Sequence, residues 1–522
     1  MSGLLFKDAQ PAATSSPNRA DIVCFVGFVG RRHTALPAGL QSWLQDQGWR
    51  LREVPVDAFD PLLNTPVPLE SFEDFDRLYN WEERPPQPQA FPFSTWLGSA
   101  VQSFFRQGGA RCFVVRVDDP QPYAVLSSDA PDAAKATNAA ARTAQLAKLL
   151  PDFVGGGLPP ARDDPTTWKG LGILLGLSEP AFVCLPDLPE LIADTTLEPA
   201  GLAPIPPGPE VFVPLTDEIA LPKSEVRQIS PSPACTADGY LAWRKAVRHA
   251  TNFIRSQRKD LQLLLALPLP ALDLTQASTQ NLDLASNVLG LGKPIDELDG
   301  TATAFLQLGY PWLGTVGSDT LPGGIEPPDG VLAGVLASSI PLLGVAHSIG
   351  RQPLRGVQNF YPPLAGADLR LDTPTGSPAA LIHRVSLLGQ TPDGPQILSD
   401  VTTSQTKAHR PACVGRLTAA ILRTAHQLGD TMTFEPSGER LWQQIRSRLN
   451  RLLSDFYAAG ALFGESPSEA FSVRCDATTT TQNDLDNGRV VAEVRFAPAT
   501  PVGLITVVLS LREGNVTCLS AP

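Results

Sequence analysis

The sequence predicts a multidomain protein of mixed α/β and α+β class, and three observations carry that expectation. The segment Asp21–Val29, DIVCFVGFV, is an almost continuous apolar run, the composition of a strand buried on both faces of a mixed sheet. Helical periodicity then alternates with strand-like runs through the middle of the chain, the pattern of an α/β domain. The stretch Phe471–Pro498 reads instead as a strand, a long polar loop and a second strand.

With 522 residues and 43% hydrophobic content, the chain can bury a large core shared among two or three domains. Residues 1–20 form a polar, small-residue arm that cannot hold a fold alone. An α/β domain is expected over 21–375, with alanine- and proline-rich insertions near 119–167 and 189–233, and a C-terminal domain over 376–522. Within the α/β domain, Ser71 and Asp74 have the spacing of a capping box ahead of a short helix ending near Tyr79. The helix Ser94–Arg106 gathers Trp96, Leu97, Ala100, Val101, Phe104 and Phe105 on one face, and Gly108 and Gly109 end it before the strand Arg111–Val117. A helix is expected over Ala133–Leu150 and a strand over Ala181–Leu185. The cationic helix Gly239–Lys259 should turn Leu241, Val247, Ala250, Phe253 and Ile254 inward and Arg244, Lys245, Arg248, Arg255, Arg258 and Lys259 outward, feeding the strand Leu261–Leu267. A Gly- and Pro-rich loop, Gly323–Gly330, precedes a small-residue helix, Val331–Ser338.

The C-terminal third predicts a helix over Arg416–Leu428 and a longer one over Glu439–Ala459. In the longer helix Leu441, Trp442, Ile445, Leu449, Leu452, Leu453, Phe456 and Tyr457 share one side, and Arg440, Arg448 and Arg451 lie opposite. From Arg489 to Phe496, Val490, Ala492, Val494 and Phe496 alternate with Val491, Glu493 and Arg495, as in a strand with one buried side. Beyond Pro501, the run Leu504–Leu511 repeats Ile505, Val507, Leu509 and Leu511 at period two, and after a turn at Glu513–Asn515 the chain ends in a strand-like Val516–Leu519. A hydrophobic strand so near a terminus needs a sheet to join, either its own or a neighbour's.

Composition removes several function classes. A net charge of −12 and a pI near 5.1 argue against general nucleic-acid binding. Seven scattered cysteines without a C-x-x-C pair read as reduced core residues of a protein folded in cytosol. No N-terminal apolar h-region occurs, and no run of about 18 apolar residues, so a soluble chain is expected.

A search for chemistry finds no set of residues that announces a site. His33, His249, His347, His383, His409 and His426 stand apart, none with a ligand-spaced His, Glu or Cys. The Gly27–Gly30 turn lacks a Walker lysine and a G-x-G-x-x-G pattern, and no G-x-S-x-G elbow exists. Asp476, Asp484 and Asp486 do not follow the EF-hand spacing and fit a polar loop, with Asn487 and Gly488 supplying the turn. The cationic helix near residue 250 has no aromatic stacking platform; it is either a solvated face or a contact for an acidic patch on another copy.

The Phe471–Pro498 stretch resembles the C-terminal signature of contractile tail sheath proteins, the outer cylinders of phage tails and phage-like injection systems. Further local likenesses run in the same order: the helix with Phe104 and Phe105, then Gly108–Gly109 and the strand RCFVVRV; Tyr310-Pro311-Trp312 before the turn Pro327–Gly330; and Phe434-Glu435-Pro436 ahead of the long helix. Coverage is discontinuous, roughly 20–118, 168–188 and 300–512. Where the family continues with an arginine-aspartate step and W-K-A-P-A, this chain has Ser338–Val345. Where the family opens with a P-G-V-Y-V-like arm, it has only Gly3, Leu4, Leu5 and Phe6.

The resemblance implies a sheath fold whose C-terminal sheet is completed by strands from neighbouring subunits. It implies a structural role with no catalytic residue, cofactor or metal. Copies would stack as hexameric rings around an inner tube and contract by rigid-body rearrangement, with baseplate and cap proteins as further partners and neither nucleic acid nor direct membrane insertion. Leu504, Ile505, Val507, Leu509, Leu511 and Val516 would form the linking strand, Leu4, Leu5 and Phe6 the linking arm, and Arg440, Arg448 and Arg451 the tube-facing side of the long helix. Assembly in the cytoplasm into a particle is expected. A non-contracting sheath-like or baseplate-associated paralogue is the alternative, and an α/β enzyme a third.

Overall fold

The computed structural model describes residues 19–32, 34–49, 62–82, 94–117, 132–155, 164–197, 232–271, 302–364, 369, 381–432, 438–483, 490–499, 507–512 and 515–520. Along the chain, β1 (Val23–Phe28) and β2 (Gly30–Arg31) lead to α1 (Ala38–Asp46), then β3 (Pro66–Leu69), α2 (Phe72–Leu78), β4 (Tyr79–Asn80), α3 (Trp96–Arg106) and β5 (Cys112–Val117). The next stretch holds α4 (Asp132–Phe153), β6 (Phe182–Cys184), α5 (Leu188–Ile192), β7 (Thr195–Leu197), β8 (Ser232–Ala234), α6 (Ala237–Gln257) and β9 (Gln262–Ala266). After it come β10 (Leu306–Tyr310), β11 (Trp312–Thr315), α7 (Asp329–Leu343), β12 (Val357–Tyr361), β13 (Ser386–Thr391), β14 (Gly394–Ile397) and α8 (Ala412–Met432). The last elements are α9 (Glu439–Ala458), α10 (Pro467–Ala470), β15 (Phe471–Arg474), β16 (Glu493–Phe496), β17 (Val507–Arg512) and β18 (Asn515–Ser520).

Two compact units result: Met1–Val345 with Ile349–Thr424, and Ala346–Ser348 with Ala425–Pro522. The first is built on an eight-stranded sheet of order β14-β13-β10-β9-β6-β1-β5-β3. Its inner strands run parallel, and the two edge strands, β3 and β14, run antiparallel. Because β13 pairs with β10, the residues around it belong to the first unit, and the division falls inside α8 at 424/425, where the sequence reading drew a boundary at 375/376.

The apolar run of β1 is buried throughout because each of its faces meets a separate core. Cys24, Val26 and Phe28 point into a core with Trp243, Val247 and Ile254 of α6, whereas Val23 and Phe25 point into one with α3 and α7. Ser71 caps α2 as expected, Asp74 N donating to Ser71 Oγ at 3.2 Å, but the acid does not close the reciprocal box: it is the Ser71 hydroxyl, not the Ser71 amide, that donates to Asp74 Oδ2 at 2.8 Å. Thr95 caps α3, accepting from Gly98 N at 3.1 Å. Helix α7 lies against α3 so closely that a Cβ on Gly330 would sit 2.6 Å from Ala100 Cα, and one on Gly334 2.6 Å from the Phe104 carbonyl oxygen. Only glycine fits at these two positions.

Asp400 and Arg416 form a buried ion pair at 2.7 Å, with side chains 0% and 1% exposed. The second carboxylate oxygen accepts from the other Arg416 Nη at 3.0 Å and from Gln307 Nε2 at 3.0 Å, and Ile349 N donates to Asp400 Oδ2 at 3.1 Å. This one carboxylate therefore joins β10, the segment at Ile349 and the start of α8.

In the second unit α9 buries Leu441, Leu449 and Leu453, and leaves Trp442, Ile445, Leu452, Phe456 and Tyr457 half-buried, against α10 and β15. The long-helix stripe thus forms where the 3.6-residue period placed it.

Three expectations need correction. Leu241 is 45% exposed, because the buried stripe of α6 runs through Tyr240, Trp243, Val247, Ala250 and Ile254 and leaves Leu241 on the far side. Arg258 turns inward as the helix ends, its Nε donating to Asp260 Oδ1 at 2.9 Å. β16 begins at Glu493 rather than Arg489: the Val491 amide donates to Thr480 Oγ1 at 3.1 Å, so Val490–Ala492 are tied to the loop instead of a ladder.

Two buried carboxyl groups sit at the α3–α7 contact. Glu326 accepts from Ser103 Oγ at 2.6 Å and from Ser99 Oγ, and burial raises its pKa against those hydrogen bonds. Burial pushes Asp329 up to about 7, against the Gly330 amide that hydrogen-bonds it. A carboxyl that ionises near pH 4 when unfolded and near 7 when folded contributes stability at low pH that is lost as pH rises through that window. Asp329→Asn is therefore expected to unfold at a higher temperature than wild type at pH 8 and to depend less on pH between 5 and 8. Parallel melting curves for the two proteins across that range would refute the assignment.

Candidate assembly surfaces

In open α/β sheets ligands bind outside the carboxyl ends of the strands, where the strand order reverses. Here the reversal lies at β1, since the chain passes from β1 to β5 on one side and then to β6 on the other. That crevice is filled by the chain itself. Asp187, just past β6 and 1% exposed, accepts from Phe28 N at 2.8 Å. The Phe28 ring stacks on Phe153 with centroids 5.0 Å apart.

The other candidate sites also resolve into structure. Of the histidines within the described residues, His249, His347, His409 and His426 are exposed and His383 half-buried, each on a different segment, and His33 lies outside those residues. Among the described residues no group of three or more His, Cys, Asp or Glu side chains could hold a metal ion. Asp476 accepts from Thr478 N at 2.8 Å and Thr478 Oγ1 at 2.5 Å, a local turn that holds its carboxyl below the usual range; Asp484 and Asp486 lie outside the described residues.

What the second unit offers is backbone. β15 and β16 form a two-stranded antiparallel sheet with Phe471 opposite Phe496 and Arg474 opposite Glu493. Among the described residues no strand pairs with the outer edge of either one. The chain after β16 is fastened by Phe463 N to Ala497 O at 2.8 Å, Ala497 N to Ala470 O at 2.9 Å and Ala499 N to Ala461 O at 3.0 Å. β17 and β18 form a separate antiparallel hairpin, pairing Val507 with Ser520, Leu509 with Cys518 and Leu511 with Val516. Four of the expected linking-strand residues thus share one hairpin. Leu504 and Ile505, like Leu4, Leu5 and Phe6, lie outside the described residues.

Arg440, Arg448 and Arg451 are exposed on α9, with Arg448 Nη1 donating to Thr431 Oγ1 at 3.4 Å. Sequence reasoning missed Phe463, which is 73% exposed beside the end of the β16 segment. Its flanks, Gly460 and Gly464, were the available signal for a turn presenting an aromatic ring outward.

No family model matches the chain, and no curated protein matches it either. Solved structures share its fold. Over 98% of its length it aligns with 98% of a chain from the anti-feeding prophage helical sheath in the contracted state, at 16% identity and a TM-score of 0.53. A chain of the PVC sheath complex of an extracellular contractile injection system, also contracted, aligns over 98% of this chain and 97% of its own length at 16% identity and 0.51. The contracted baseplate of the anti-feeding prophage contains a chain matching 99% of this one over 98% of its own length, at 16% identity and 0.58. The mixed α/β architecture is therefore shared with chains of these contractile sheath and baseplate assemblies.

If the Asp187 contact is structural, Asp187→Ala should lower stability by about 1–3 kcal/mol in urea unfolding, because it strands the Phe28 amide in the core. An unchanged midpoint and slope would show that the crevice does not depend on it.

Proposed function

We propose that this chain is the structural subunit of the contractile sheath of a phage tail or phage-like injection system. The observation that carries the reading is a fold likeness running through 98% of the chain, joined to a C-terminal sheet whose two outer edges are unpaired among the described residues. Such edges are templates for added strands. In this reading Leu504, Ile505, Val507, Leu509, Leu511 and Val516 enter a neighbour's sheet beside β15 or β16, and Leu4, Leu5 and Phe6 supply a second, shorter link.

Copies stack as hexameric rings around an inner tube, with Arg440, Arg448 and Arg451 facing the tube and baseplate and cap proteins closing the ends. Contraction is a rigid-body passage from an extended lattice to one of lower energy, driving the tube through a target envelope, with the linking strands as hinges. Each subunit need contribute only a few kcal/mol, since many move together. Assembly takes place in the cytoplasm, without nucleic acid or insertion into a membrane. Among the described residues no helix is long and apolar enough to cross one.

A second reading, a non-contracting paralogue at the baseplate or cap, is favoured by the likeness to a baseplate chain and by the short apolar content of the arm. Negative-stain microscopy of the purified chain separates the two. Hollow striated tubes are expected of a sheath, and discrete rings of the paralogue. Deleting residues 503–522 should leave folded subunits with an unchanged melting temperature that no longer polymerise. Tubes of normal length from that truncation would remove the strand-exchange model. Glutamate at positions 440, 448 and 451 together should abolish assembly around the tube while leaving subunit folding intact; normal tube-filled sheaths from this triple variant would show that α9 does not face the tube.

A further inference from the structure

Helix α6 packs one side on the sheet through Trp243, Val247, Ala250 and Ile254 and turns another outward. The outward side carries Leu241, Lys245, Arg248, Asn252 and Arg255; Arg248 is half-buried and the other four are exposed. At about 100° and 1.5 Å per residue, these five fall within about 80° and run about 21 Å along the axis. After Asp238 the helix contains no acidic residue, so the seam has no i,i+4 carboxylate of its own. Among the described residues the ion pair at the end of this helix is Arg258 with Asp260, and Lys245 and Arg255 have none. A surface helix laced by its own salt bridges alternates in sign; this one keeps a single sign and adds an exposed leucine.

The second unit presents the opposite chemistry. Phe463, 73% exposed, stands on a turn whose backbone is held from several sides. Its amide donates to Ala497 O at 2.8 Å, Leu462 bridges to Pro498, and Tyr457 Oη donates to Gly464 O at 3.1 Å. Glu465, two residues on, is exposed and has no ion pair among the described residues. Its own amide donates to Glu469 Oε2 at 3.1 Å, which fixes the backbone that carries the Glu465 carboxylate. An aromatic ring on a held turn gives up little conformational freedom when it is covered.

We propose that the α6 seam of one copy takes the Phe463 turn of a second copy, the ring resting on Leu241 and the stem of Lys245, and the Glu465 carboxylate pairing with the Lys245 ammonium. The match is of shape and charge together. Leu241 and the Lys245 methylenes offer apolar surface to the ring, the ring face attracts the ammonium, and the carboxylate answers its charge. Two different surfaces of one chain make a heterologous contact, the kind that closes into rings or continues as a helix. The inference rests on the self-assembly reading above and assigns it a contact.

Lys245→Glu and Glu465→Lys should each leave the melting temperature of the dissociated chain unchanged and raise the concentration needed for self-association by about tenfold in sedimentation velocity. The two reversals in one chain should restore the wild-type concentration, because both faces are then reversed at every junction. Phe463→Ser should weaken association to a similar degree. Independently of charge, chains carrying Leu241→Cys mixed with chains carrying Phe463→Cys should, on mild oxidation, give a dimer whose disulfide joins those two positions by mass spectrometry. The pairing is overturned if either single reversal associates at the wild-type concentration, if the double reversal does not recover, or if the mixed chains link elsewhere or not at all. A wild-type chain that stays monomeric overturns the assembly reading as well, whereas an assembling chain indifferent to these substitutions overturns the pairing alone.

Discussion

The ion pair between Asp400 and Arg416 is the contact on which the architecture of the first unit turns. Both side chains are out of water, and the carboxylate also holds Gln307 of β10 and the Ile349 amide. Removing one member of such a pair leaves a buried charge and costs about 3–5 kcal/mol, against a total stability of about 5–15 kcal/mol for a typical domain. The pair fixes where α8 begins, and the division between the compact units falls within that helix. The position of Asp400 is thus settled by β10 and the Ile349 segment together, three parts of the chain far apart in sequence.

Around that anchor the sheet is closed on both faces. Its alternating side chains feed two cores, and its one predisposed ligand crevice is taken by Asp187, Phe28 and Phe153. The second unit adds the complementary element, short strands whose hydrogen-bonding edges have no partner within the described chain. Within the second unit, among the described residues, those edges are the backbone groups left free to take an added strand.

Much of this was legible in the sequence where local chemistry decides. The β1 run, the Ser71 N-cap, the apolar face of α3 and the stripe of α9 follow from periodicity and caps, and each formed within a few residues of its expected limits. What was not legible depends on distant partners. Leu241 and Arg258 were misplaced because the rotation of α6 is set by Trp243 against the sheet, and Asp260 captures Arg258 only once β9 is laid down. Thr480 claims the Val491 amide across a loop whose closure no pattern announces. For the candidate surfaces, period two identified the terminal strands. Nothing in the alternation said that Val507–Arg512 would pair with Asn515–Ser520.

The cysteines bear on how the interior meets a change of redox surroundings. Cys24, Cys112, Cys184, Cys235, Cys413 and Cys475 are all buried thiols. Burial pushes Cys24 up to about 12 and Cys413 up to about 11, and raises Cys112 and Cys184 well above their ordinary value. Oxidation and disulfide exchange proceed through the thiolate, which for Cys24 is roughly one molecule in 10⁵ at pH 7. Burial thus lowers the thiolate fraction on which reaction with disulfides or oxidants depends. Among the described residues, then, the interior holds its thiols in the slow-reacting protonated form, and a change from reducing to oxidising surroundings finds little thiolate there to act on.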